Sequence, residues 1–169
     1  MQVPDLSVQL DTGETVQLSC LYAEKPMALV FLRHLACMFC KEFVKELRSR
    51  PELNVVFVAA SGVPEVKALK ERLHSPHPFI ADPDRVVYRA FQVERGTMSQ
   101  MLNVHTFARG VQALAKGNWN GRPVSDARQL GGTFVVSPSG AVTWAHHSRD
   151  AADNAKVSDI AYQLERAAV

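Results

Sequence analysis

The apolar positions of this chain change period along its length, and each change marks an element. Leu6 to Leu10 and Thr15 to Leu18 are short β-rich runs around Asp11-Thr12-Gly13-Glu14, which predicts a hairpin. Ala28 to Leu32 is continuously apolar, the pattern of a strand buried on both faces. Cys40, Phe43, Val44 and Leu47 then fall at i, i+3, i+4 and i+7, one face of a helix running from Cys40 to Arg48. Pro51 closes it, because a proline disfavours helical geometry in the residue before it. Asn54 to Ala60 predicts a second buried strand. Ser61 or Gly62 caps a second helix carried by Val66, Leu69, Lys70 and Leu73. His74-Ser75-Pro76-His77-Pro78 breaks that helix and reads as a surface loop. Phe79 to Ala81 is a short strand, and Asp82-Pro83-Asp84 is a turn that caps a helix of Val86, Val87, Ala90 and Phe91. Met98 to Lys116 carries a looser helical pattern, and Gly117 to Pro123 a loop. Thr133 to Val136 and Ala141 to Ala145 are strands joined by a Ser137-Pro138-Ser139-Gly140 turn. Val157, Ile160, Leu164 and Ala167 make a C-terminal helix.

The order is thus β-β, β-α, β-α, β-α, α, β-β, α. The early alternation predicts parallel strands with right-handed crossovers, and the late hairpin adds antiparallel ones. The expected architecture is α/β, a mixed sheet flanked by helices, in one domain over residues 1–169. A thioredoxin-like domain with an N-terminal β-hairpin extension has this layout.

Composition narrows the function. The 169 residues are 47% hydrophobic and 21% charged, ordinary for a globular chain. The formal charge of +2 gives no electrostatic case for nucleic acid or an anionic membrane. The most apolar short run, Met27 to Leu32, is far below the ~20 residues of a spanning helix. Met1 to Asp5 lacks a basic segment leading into an apolar stretch, so the expected location is cytoplasmic. No Gly-rich dinucleotide fingerprint follows a strand, so no bound nucleotide or flavin cofactor is indicated. The three cysteines are Cys20, Cys37 and Cys40. An odd number, with two of them in a C-x-x-C pair, favours redox or metal chemistry over a disulfide framework.

Cys37 falls just past a buried strand, and Cys40 in the first turn of the next helix. A helix start offers unpaired N–H groups and the positive end of the macrodipole, both of which stabilise a thiolate. Arg33, His34 and Lys41 add nearby positive charge. Two intervening residues let the second sulfur reach the first. Cys40 shares the apolar face of the helix, so it is expected to be the sheltered, resolving cysteine, and Cys37 the exposed, attacking one. A zinc half-site is the competing chemistry. It would need two more ligands, and adjacent His146 and His147 point to opposite faces of a strand. No metal is therefore expected. Two reduced cysteines that merely pack are the plainest alternative, and the strand-to-helix position favours redox over it.

At this point the chain resembles a known family. Val30-Phe31-Leu32-Arg33-His34-Leu35-Ala36-Cys37-Met38-Phe39-Cys40-Lys41-Glu42 is similar to the signature of peroxiredoxin-like proteins of the AhpC/TSA group. The likeness continues through Asp82-Pro83-Asp84-Arg85-Val86-Val87-Tyr88-Arg89-Ala90-Phe91. It resumes in Gln129-Leu130-Gly131-Gly132-Thr133-Phe134-Val135-Val136-Ser137-Pro138-Ser139-Gly140. The resemblance implies a thioredoxin-like fold and thiol redox chemistry. Relatives include thiol-dependent peroxide reductases and the prostamide/prostaglandin F synthase group, which reduces an endoperoxide. Two positions depart from wider patterns. His34 stands where typical peroxiredoxins have a Thr or Ser, three residues before the attacking cysteine. Gly132-Thr133-Phe134 lacks the proline that thioredoxins carry before the strand facing the pair.

The expected function is therefore a thiol-dependent oxidoreductase acting on a peroxide, endoperoxide or disulfide, with Cys37 attacking and Cys40 resolving. An external thiol donor, thioredoxin or glutathione, would supply electrons, and a homodimer is left open. Arg33 would hold the thiolate or a peroxide oxygen. His34 would shuttle a proton, or as His34⁺ support the thiolate. Gly131, Gly132 and Thr133 would line the substrate side, the glycine backbone supplying N–H donors to a bound oxygen. Each has a plainer reading: a surface Arg, a half-buried His, an ordinary turn. Two other functions compete. One is a binding or regulatory module that kept the fold and lost turnover, which both departures favour. The other is a metabolite-tailoring enzyme, with Met98 to Lys116 as a pocket wall. Cys20 reads as a small packed hydrophobe. Trp119 and Trp144 read as packing anchors, and His146, His147, Arg149 and Asp150 as a solvated strand end.

Overall fold

The structure, a computed structural model, describes residues 1–93, 95–96, 112, 115, 117 and 128–168. The strands are β1 (Ser7–Leu10), β2 (Thr15–Gln17), β3 (Met27–Phe31), β4 (Val55–Ala59), β5 (Phe79–Ala81), β6 (Gly132–Val136) and β7 (Val142–His147). They form one sheet in the order β2-β1-β5-β4-β3-β6-β7. The pairs β3/β4 and β4/β5 are parallel, and the others antiparallel. The helices among the described residues are α1 (Met38–Arg48), α2 (Val63–Leu73), α3 (Val86–Ala90) and α4 (Val157–Ala167). This is the thioredoxin-like mixed sheet that the alternation of periods predicts, with its N-terminal hairpin at one edge. The helical pattern expected from Met98 to Lys116 lies almost wholly outside the described residues. So do Trp119 and the loop around it.

Alternation along β3 explains its uninterrupted apolar run. Ala28, Val30 and, just past the strand, Leu32 enter one core with residues of α1, α2 and α4. Met27, Leu29 and Phe31 enter a second core on the other face, with Val87 and Tyr88 of α3. Successive side chains of a strand take opposite faces, so a strand covered on both sides has no polar position left. In the second core Phe31 touches Tyr88, Phe91 and Phe134, with ring centroids 5.0 to 5.5 Å apart.

Several local expectations are corrected. Helix α1 begins at Met38, before the apolar periodicity starts at Cys40, because the turn at Cys37 already has the geometry of a cap. His77 is buried rather than on a surface loop. Its Nε2 lies 2.9 Å from Leu47 O, and burial lowers its pKa. Cys20 is exposed rather than packed, because the short 3-10 helix Leu18–Leu21 turns Leu18 inward instead. The strand end after β7 is not simply solvated. Asp153 is buried, accepts from Arg149 N and Nε at 2.9 and 2.8 Å, and lies 3.3 Å from His146 Nε2. Asp150 is buried too, and accepts from Ala152 N at 2.8 Å. Here the chain folds back over the start of α1, where Asn154 Nδ2 donates to Phe39 O at 3.3 Å.

Candidate active site

The pair sits where the central strand ends. β3 runs between β4 and β6 and delivers Leu32 and Arg33 to the start of α1. The link from Leu32 to Ala36 is short and buried, so the peptides around Arg33 and the first turn of α1 are fixed relative to each other. Cys37 N donates to His34 O at 3.0 Å, which closes the turn. Cys37 is the N-cap of α1, and Cys40 lies in its first turn.

Arg33 serves both sulfurs through different atoms. Its Nη1 lies 3.3 Å from Cys37 Sγ, and its backbone N–H points to Cys40 Sγ at 3.3 Å. Its Nε donates to Gln129 O at 3.1 Å, which anchors the guanidinium from the segment before β6. Gln129 is only 1% exposed, and its Nε2 donates to Val93 O and Leu130 O at 3.3 and 3.1 Å. In the sequence Gln129 appears only at the head of the third block of family likeness, with no role assigned to it. Its signal was a lone amide leading an otherwise small and apolar segment.

Both thiols are free, and their acidities diverge. Cys37 is held down to about 6. The foremost cause is the hydrogen bond from the Cys40 thiol; burial opposes it, and the Arg33 charge adds to it. The first-turn N–H groups of Cys40 and Phe39 contribute as well, although Cys37 makes no cap hydrogen bond of full geometry. The Cys40 thiol is pushed well above its ordinary value, first by donating to Cys37, then by burial and the Cys37 charge. One sulfur is thus a thiolate near neutral pH while the other keeps its proton.

The expected contrast in exposure is not found. Cys37 is 1% exposed and Cys40 4%. The reason is tertiary: Arg33 reaches Cys37 Sγ, and Ala151, Ala152 and Ala155 join the same core as the start of α1. Fixed N–H groups and a guanidinium replace water around the sulfur. His34 is also corrected. It is 8% exposed, its Nδ1 has no hydrogen-bond partner, and its pKa is lowered to about 4. Burial is the main cause, with the charges of Arg33 and Lys41 behind it. The ring is therefore neutral near pH 7, and no imidazolium is available to support the thiolate.

Gly131 adjoins the cluster. A Cβ there would stand 2.7 Å from Phe31 O and 3.8 Å from Arg33 Cγ, so glycine lets the two chains close together beside Arg33. Gly132 and Thr133 take their places in β6. They pair with Phe31 and Val30 on one side and with His147 and His146 on the other. A Cβ at Gly132 would crowd the Phe134 ring at 3.2 Å and His146 O at 3.3 Å, which is a packing reason for glycine. Arg33, Cys37 and Cys40 thus form one cluster with Gly131 at its side. The hydrogen bonds to the two sulfurs described above come from residues 33–40, and Gly132 and Thr133 belong to the neighbouring ladder.

Residues 41–150 match the family described as AhpC/TSA antioxidant enzyme, a match that begins one residue past Cys40. Peroxiredoxin-like 2C of Bos taurus is 25% identical over 94% of this chain and 76% of its own length. Prostamide/prostaglandin F synthase of Salmo salar is 26% identical over 91% of this chain and 82% of its own. Among solved structures, a peroxiredoxin Q of Xanthomonas campestris superposes with a TM-score of 0.68 at 17% identity, covering 96% of this chain and 91% of that one.

Proposed function

The chain belongs to the AhpC/TSA antioxidant enzyme family, and from that premise we propose that it is a thiol-dependent peroxide reductase working through Cys37 and Cys40. One observation carries the reading: Arg33 reaches Cys37 with its guanidinium and Cys40 with its backbone N–H, and the acidities of the two sulfurs are split. The Cys37 thiolate attacks one oxygen of a peroxide. The S–O bond forms, the O–O bond breaks, and the departing alkoxide or hydroxide takes a proton to leave as alcohol or water. The Arg33 guanidinium supports the charge on the departing oxygen. Cys40 then gives up its proton and attacks the sulfenic sulfur. An S–S bond forms, the S–O bond breaks, and water leaves. An external thiol, thioredoxin or glutathione, reduces the disulfide and returns two electrons. No prosthetic group takes part in these steps.

The depth of Cys37 supports a small peroxide over a protein disulfide, since a second polypeptide would have to uncover the sulfur first. An endoperoxide, the substrate class that the resemblance to the prostamide/prostaglandin F synthase group implies, presents the same O–O bond; there the Cys37 thiolate forms a sulfenate ester, and attack by Cys40 breaks its S–O bond and releases the second oxygen as an alcohol. His34 replaces the usual hydroxyl, so oxygen positioning falls to Arg33 and the Gly131 backbone. Stopped-flow mixing of the reduced protein with hydrogen peroxide, an organic hydroperoxide and insulin disulfide tests the proposal. Fast oxidation by either peroxide, with loss of two hydrogens from the peptide holding Cys37 and Cys40, is expected. Reaction with insulin alone overturns it.

A further inference from the structure

Tyr88 lies across the sheet from the thiols, yet its hydroxyl reaches the strand end that serves them. Its ring packs edge-on to Phe31 in the second core. Its O–H contacts Leu32 O and Val58 O, the latter at 3.0 Å. A phenol has a single proton to give. Val58 O already accepts from Leu32 N at 2.9 Å, and the contact to Leu32 O is the shorter, so the proton belongs on the Leu32 carbonyl. That carbonyl is half of a peptide group whose other half is the Arg33 N–H. In a trans peptide the two leave from opposite edges of one rigid plane. The opposite edge here ends on Cys40 Sγ, 3.3 Å from Arg33 N.

We propose that Tyr88 is a positioning residue for the thiol pair: by holding the Leu32 carbonyl it aims and polarises the Arg33 N–H that bonds Cys40 Sγ. This rests on the reading of Cys37 and Cys40 as the working pair. Hydrogen bonds in series strengthen one another, most of all where water is excluded. The series runs from the phenol through the peptide to Cys40, and from the Cys40 thiol to Cys37. Asp82 sets the phenol in place. Its Oδ1 accepts from Val86 N at 2.8 Å, and its Oδ2 from Val87 N and Tyr88 N at 2.9 and 3.1 Å. This gives a use to the Asp82-to-Phe91 block, which the redox chemistry by itself leaves idle. The charged and titratable groups facing Cys40 are Cys37, Arg33, Tyr88 and Lys41, while Asp82 and Arg85 face the phenol. Packing alone would be met by a phenylalanine, so the hydroxyl is what the proposal turns on.

The test is the pH profile of Cys40 alkylation in the full-length Cys20→Ser, Cys37→Ala protein, with and without Tyr88→Phe. On the acid limb, where rate follows thiolate fraction, Tyr88→Phe should slow alkylation about twofold to tenfold, the span of one hydrogen bond. A ring-fluorinated tyrosine in place of Tyr88 keeps the shape and makes the O–H a stronger donor, so it should speed the same limb. An unchanged limb in both proteins overturns the proposal and leaves Tyr88 as packing with a satisfied hydroxyl. If Tyr88→Phe does not fold, the fluorinated protein decides alone. A parallel arm treats the reduced wild type with one equivalent of hydrogen peroxide. Failure to form the Cys37–Cys40 disulfide there removes the proposed function, while the alkylation limb still decides the part of Tyr88.

Discussion

The Arg33 guanidinium stands 3.3 Å from Cys37 Sγ and is pinned from behind by Gln129 O. The positive charge cannot drift away from the sulfur, because Nε is committed to a carbonyl on another segment. Removing it should therefore show in the acidity of Cys37. We expect Arg33→Ala to move the alkylation midpoint of Cys37 upward from about 6. A charge-assisted hydrogen bond is worth ~1.5 to 3 kcal/mol, or about one to two pH units. Arg33→Lys should recover only part of the shift, since an ammonium lacks the planar fork that serves Sγ and Gln129 O together. Iodoacetamide kinetics in a Cys20→Ser background measure it, and a midpoint that stays put denies the contact its role.

The Cys40 thiol is the foremost cause of the Cys37 shift, ahead of Arg33. Cys40→Ala should accordingly raise the Cys37 midpoint more than Arg33→Ala does. It should also abolish the intramolecular disulfide, leaving a sulfenic acid that a dimedone probe traps after peroxide treatment. A larger shift in Arg33→Ala would reverse the ranking of causes.

The reduced protein should gain stability with rising pH through the Cys37 titration. The folded pKa of about 6 lies below the ordinary 9.0, so the folded state binds fewer protons between those values. The contribution is complete above pH 9.0, shrinks as pH falls, and is gone below about 6. Cys40, shifted the other way, withdraws stability only where an unfolded thiol ionises, at the alkaline end. Thermal unfolding of reduced wild type against Cys37→Ala, between those limits, should show the difference between them growing with pH.

His34 predicts a loss of stability of the same sign, at lower pH and from a different cause. Its pKa of about 4 lies below 6.5, so protons favour the unfolded chain, and stability drains as pH falls through that window. A residue that cannot charge should remove this component, so His34→Gln should flatten the acid side of the stability curve. The ring is already neutral where Cys37 titrates. The midpoint of Cys37 alkylation should thus be the same in His34→Gln and wild type, and a shift would restore His34 to the chemistry.

Gly131→Ala sets a Cβ 2.7 Å from Phe31 O, a backbone atom at the end of a central strand. Neither side can yield cheaply, so the substitution should cost ~1 to 3 kcal/mol in urea unfolding, the scale of an overpacked core. Because Arg33 Cγ lies 3.8 Å from the same point, the Cys37 midpoint should move as well. Full stability with an unmoved midpoint would mean that the close approach is not needed.

Most of the element plan was legible in the sequence because it is local. The change from a continuously apolar run to a period of 3.6 locates β3 and α1. A C-x-x-C at that junction marks the chemistry, since a strand end followed by a helix start places both sulfurs near unpaired N–H groups. What stayed hidden arises between segments far apart in the chain. Gln129 reaches Arg33 across 96 residues, and Tyr88 reaches Leu32 across 56. Nothing in local periodicity records which carbonyl a guanidinium will find. Burial of polar groups failed for the same reason. His77 and Cys20 exchange their expected places, because whether a side chain meets water depends on what folds over it.

The sequence by itself determined most of the elements, their mixed parallel and antiparallel order, and the place of Cys37 and Cys40 at a strand-to-helix junction, all of which follow from the periodicity of side chains along a single segment and from one spacing. Only the tertiary structure decided the condition of those groups: a Cys37 sulfur covered rather than open, a neutral His34, an Arg33 held by Gln129 from the segment before β6, and a peptide that joins Tyr88 to Cys40. Those depend on the local dielectric and on which partners lie within about 3 Å, and both are properties of packed surfaces brought together from distant parts of the chain.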